Sequence, residues 1–221
     1  MTDTRALIDQ LAGRASAVRP LPSPMKRTLV WIAVATVLII IMAATFGLRV
    51  NLRPAMLQPG PALEWIGSVL TGVFAAYAAF QVSVPGRSPS WAWLPVLPAG
   101  LWLGGIGIGC LHDVTTQGAA AFAFETHSGE CARAIIAMSL PLVLVMVVMV
   151  RHAGVVRPAP TAILAGLSAA ALCSAGVSLF HAGETSLMVL VWHVGAVVAL
   201  CLGSVALGGT VFSWIGPVRR G

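Results

Sequence analysis

Apolar residues fall into six unbroken runs along the chain, separated by short polar clusters. The runs cover residues 28–48, 62–84, 90–109, 133–150, 159–181 and 187–209. A helix needs about 20 residues to cross a hydrocarbon core, so each run is long enough to span. Within lipid every backbone N–H and C=O must be satisfied inside the segment or barrel, which leaves only helices or closed barrels. Barrel strands alternate apolar with polar positions, and these runs do not alternate. The pattern predicts an all-α, polytopic membrane protein built as a six-transmembrane-helix bundle.

A polar leader precedes the first run. Within it Leu7, Ile8, Leu11, Ala15 and Val18 recur near helical spacing, which predicts a short helix with one apolar face. Asp3 and Thr4 are suited to cap its start. Pro20, Pro22 and Pro24 then form a stiff, extended spacer. The expected organisation is a leader over 1–27, a membrane bundle over 28–211 and a short tail over 212–221. An apolar stripe on an exposed tail suits a partner that takes a helix in a groove. A frayed tail that only supplies positive charge is the alternative.

Composition agrees with the membrane reading. Of the 221 residues 58% are apolar and only 9% charged, against about 25% charged in soluble domains. The net charge of +6 does not form a nucleic-acid-binding stripe, and no direct nucleic-acid binding is expected. The basic residues instead set an orientation. With the N-terminus inside, the inner side holds Arg5, Arg14, Arg19, Lys26, Arg27, Arg87, Arg151, Arg157, Arg219 and Arg220. The outer side holds only Arg49, Arg53 and Arg133. Ten against three is a positive-inside bias that predicts both termini to be cytoplasmic. A cleaved signal peptide is disfavoured, because the first apolar run of about 21 residues exceeds the usual 7–15.

On that topology the stretch CLHDVTTQGAAAFAFETHSGEC, residues 110–131, lies on the outer face between helices three and four. It gathers Cys110, His112, Asp113, Glu125, His127, Glu130 and Cys131. His181 and Glu184 join it from the final outer turn, and His193 lies about two turns into the last helix. His127 and Cys131 are four apart, on one face if the fourth helix starts early. Thiolate and imidazole together suit zinc or copper. An ordinary polar outer surface is the plain alternative, and a disulfide between Cys110 and Cys131 is a third. Cys173 and Cys201, in mid-membrane, are expected to be packing residues. No Walker loop, nucleophile elbow, HExxH or CxxC is present, so no enzyme is expected. GGIGIG lies inside an apolar helix and reads as packing rather than a phosphate cradle.

Several landmarks occur in one order: LRPAM (52–56) after helix one, QVSVPG (81–86) ending helix two, ECARAIIAMSLPLVL opening helix four, and LFHAGETSLMVLVWHVGAVV at the end. Over essentially the whole chain this resembles the membrane-embedded anti-sigma factors named for the negative regulator of sigma F. The resemblance implies a multi-pass protein of the bacterial inner membrane whose leader sequesters an extracytoplasmic-function sigma factor. Leu7, Ile8 and Leu11 are then the residues that grip it. It further implies release by a heavy-metal or oxidative signal received at paired outer cysteines. Cys131 matches the first of these. The second is expected just after a histidine in the final turn, where this chain has His181-Ala182-Gly183-Glu184. Cys110 could replace the missing thiol, or His181 and Glu184 could serve as ligands, with His127 and His112 nearby. No resident cofactor is implied; a divalent or soft metal ion is the candidate signal. A small metal or metabolite transporter is the main alternative, disfavoured because the middles of the runs are almost free of polar or ionisable residues. A haem-b carrier using His112, His181 or His193 is the other.

Overall fold

Proline and serine set where the first membrane helix begins. In this computed structural model residues 3–14, 20–122, 129–153, 155–180 and 185–215 are described; side chains of 129–131, 152 and 208–215 are not. Helix α1, Thr4–Arg14, lies in the leader. Ser23 then caps α2, Pro24–Phe46, accepting from the Lys26 N–H at 3.4 Å, and Pro24 occupies the first turn, where its missing N–H costs nothing. A short α3, Leu52–Met56, leads into α4, Pro59–Val82. Helix α5 covers Val96–Gln117, α6 Gly129–Val150 and α7 Pro158–Phe180. The last span begins as α8, Ser186–Val189, passes through a π-helical turn at Leu190–Val194 and continues as α9, Gly195–Ile215.

Six of these segments are long and apolar enough to cross a membrane, as the six runs predict, and no strand occurs among the described residues. The protein is a multi-pass, all-α membrane protein. Its spans alternate in direction, so one end of the bundle carries the leader, the α4–α5 and α6–α7 connections and the end of α9. The opposite end carries the α2–α4, α5–α6 and α7–α8 connections.

Helices α4 and α7 form the centre, with 61% and 72% of their apolar windows buried, whereas α2 is peripheral at 11%. Small residues allow the central pair to approach. Ser168 donates to the Gly72 carbonyl at 2.5 Å across α7 and α4. Trp31, Phe80, Ile106, Ile135, Leu142 and Met146 fill the surrounding core. The GGIGIG run packs as expected: a Cβ at Gly105 would lie 2.7 Å from the Glu64 Cα on α4, while Gly104 and Gly107 face open space. Lipid tails are as apolar as these side chains, so close backbone contact substitutes for hydrophobic drive.

Helix boundaries differ from the apolar runs at several places. Helix α5 continues past the run to Gln117 and carries Cys110, His112 and Asp113 on helix rather than loop. Its polar turn is held locally, since the Thr115 and Thr116 hydroxyls both donate to the His112 carbonyl at 2.8 Å. Gly118, at φ +57°, ends it, a conformation glycine adopts without steric cost. Helix α6 starts at Gly129, four residues before its apolar run. Helix α9 runs to Ile215, past the 211 boundary drawn from hydropathy.

Candidate functional site

The leader helix has the expected face. Asp3 caps it, its Oδ1 accepting from the Arg5 N–H at 3.1 Å. Leu7, Ile8 and Leu11 are 50%, 58% and 62% exposed, and no residue of α1 is buried. Among the described residues, this stripe has no partner within its own chain.

The helix that carries the leader is fastened by a charge. Arg27, counted in the sequence as one more inner-face cation, is only 4% exposed. Its Nη2 donates to the Met149 carbonyl at 2.6 Å, and its guanidinium sits 4.4 Å from the Phe80 ring centre. Met149 lies in the last turn of α6, where unpaired carbonyls and the helix dipole favour a cation. One turn on, the Trp31 indole N–H reaches the Leu142 carbonyl of the same helix at 3.5 Å. Elsewhere at this end, Arg157 donates to the Arg87 carbonyl at 2.9 Å and joins two connections.

At the opposite end three contacts fix the connections. The Asp113 carboxylate on α5 accepts from the Ser186 N–H at 2.7 Å and so caps the last span. Thr185, the residue placed to do this, makes no side-chain cap. The Arg49 N–H donates to the Leu179 carbonyl at 3.0 Å, and Phe46 stacks on Phe180 with ring centres 5.4 Å apart. Burial lowers the pKa of the Arg49 guanidinium, and the Glu64 carboxylate opposes that shift. Deeper in, buried His193 on the π-helical turn shares a 2.6 Å hydrogen bond with Ser174 through Nδ1.

The candidate sensing residues are only partly brought together. Cys110 is half-buried on α5, and His112, two residues on, is exposed. Cys131 lies in the first turn of α6, with its side chain outside the description. His127, His181 and Glu184 lie outside the described residues, as does Glu125. Among the described residues no three His, Cys, Asp or Glu side chains converge as a metal site would require. Cys173 is fully buried in the core, and Cys201 is partly buried beside it, as packing residues should be.

Comparison with known proteins places this architecture. The family described as negative regulator of sigma F matches residues 11–214. The chain belongs to that family. It is therefore a negative regulator of a sigma factor, and a sigma factor is its partner. The family match begins at Leu11, so Leu7 and Ile8 precede it. No curated protein and no solved structure matches.

Sequence reasoning missed Arg27, Asp113 and Arg49 as fastening residues. The side chains of Arg27 and Asp113 act on a backbone C=O and a backbone N–H, and Arg49 acts through its own backbone N–H, none of which leaves a mark in the sequence of the partner segment. For Asp113 one signal was legible: a carboxylate one turn past Cys110 faces the end of the bundle where the last span must begin.

Proposed function

We propose that this negative regulator holds an extracytoplasmic-function sigma factor at the inner face of the bacterial inner membrane. The leader helix grips it through Leu7, Ile8 and Leu11. A heavy-metal or oxidative signal, received at the outer end around Cys131, releases it. The observation that carries the reading is the leader: an amphipathic helix, unburied by its own chain, joined to a six-span bundle of this family. An apolar helical stripe exposed to water is suited to dock in a partner's groove. The ten-to-three distribution of basic residues supports an inner location for it.

Release then amounts to a shift between two states of the bundle. A signal shifts that equilibrium only by its differential affinity for the two states. Co-purification of the full chain with a sigma factor from native membranes, against a chain lacking residues 1–27, tests the reading. Capture by the full chain alone is expected; equal capture by both would remove the leader from the mechanism.

A further inference from the structure

Helix α2 connects to the leader, yet it is the least buried of the six spans. Its two polar side-chain contacts with α6 lie on one face. Arg27 and Trp31 are four residues apart and reach the carbonyls of Met149 and Leu142, seven residues apart on the antiparallel helix. Positions i and i+4 on one helix thus meet two turns of the other. Helix α6 is the same helix whose first turn, at the far end, carries Cys131. Pro141 lies inside it between the two regions and cannot donate the backbone hydrogen bond of that turn. The grip on Leu142 begins immediately after that weak point.

Arg27 is held at a cost. Its Nη1 is buried with no hydrogen-bond partner among the described residues, and no carboxylate among them pairs with it. Buried cations usually have a counter-charge. This one has a carbonyl, an aromatic face and an orphaned donor, which suits a contact that can be given up.

We propose that Arg27, supported by Trp31, is the positioning residue that transmits movement of α6 to the leader. The relay rests on the function proposed above, in which the leader binds the sigma factor and the far end of α6 receives the signal. Coupling between two sites is reciprocal, so it can be read without knowing the signal. Binding at the leader must bias the same two states of α6 that the signal biases.

The test uses the full-length protein in lipid nanodiscs, with hydrogen exchange measured at the amides of the first turns of α6. Saturation with the sigma factor should change those exchange rates at least about fivefold, the low end of typical coupling. Arg27→Gln should still bind the sigma factor, but exchange there should then be the same with and without it. Arg27→Lys should respond in between. Lys26→Gln, which removes an exposed neighbouring charge, should respond as wild type does. Should Arg27→Gln fail to accumulate, Trp31→Phe keeps the buried ring, removes the N–H and should reduce the response. A wild-type α6 indifferent to the sigma factor, or Arg27→Gln responding as wild type does, would overturn the relay. Absence of sigma-factor binding by the wild type would instead overturn the function on which it rests, and the relay with it.

Discussion

Replacing both Leu7 and Leu11 by Asp removes two of the three residues proposed to grip the sigma factor, and the structure sets how much that should cost. Full burial of a leucine side chain is worth about 1.5–3 kcal/mol. Docking can bury only what is exposed, which is 50% of Leu7 and 62% of Leu11. The recoverable energy is then about 0.8–1.5 kcal/mol for Leu7 and about 0.9–1.9 kcal/mol for Leu11. Together they contribute about 1.7–3.4 kcal/mol, or roughly a 20- to 300-fold loss of affinity. Asp is also a poorer helix former than Leu, so the double Ala variant serves as control: it keeps helix propensity and should still fall near the low end. Titration of the sigma factor against the full-length protein in nanodiscs measures both. A dissociation constant within about threefold of wild type, with leader helicity intact, would refute the assignment of this face.

Two further outcomes follow from the packing and one from the proposed function. Gly105→Leu should sharply lower the level of folded protein, since any Cβ meets the α4 backbone at Glu64, whereas Gly104→Leu and Gly107→Leu face open space and should be tolerated. Membrane levels by immunoblot decide between them. Asp113→Asn keeps the acceptor but removes the charge that caps the last span at Ser186; thermal unfolding should show a loss of about 0.3–1 kcal/mol. Cys131→Ser should leave sigma-factor retention intact and abolish release by cadmium or peroxide in a sigma-dependent reporter; release as in wild type would separate the thiol from sensing.

Hydropathy located all six spans because lipid demands long apolar helices, but it placed their ends poorly. Helix α5 continues through Asp113, Thr115 and Thr116 because its threonines bond to the preceding turn, something no hydropathy window registers. The leader face was legible from the spacing of Leu7, Ile8 and Leu11 alone. Arg27 was not, since charge counting assigns every arginine to water, and its acceptor is a carbonyl supplied by a helix more than a hundred residues away. Of the sensing set, spacing could bring His127 near Cys131 only on an unbroken helix, and His127 lies outside the described residues.

The π-helical turn at Leu190–Val194 has a consequence for how this chain can vary in length. Such a turn holds one residue more than an α-helix would, so it acts as an insertion written into the register of the final span. Deleting any single residue there would leave an unbroken α-helix of nearly the same composition. Because the wide turn absorbs its extra residue, that deletion would keep everything beyond in phase; closing the turn to α geometry at its present length would instead rotate the rest by about 100°, turning Ala196, Val197 and Leu200 out of the core and toward lipid. The wide turn therefore keeps the half that carries His193 in phase with the half that returns to the leader's end, and loss of one residue beside His193 would be tolerated by hydropathy and by the bundle alike.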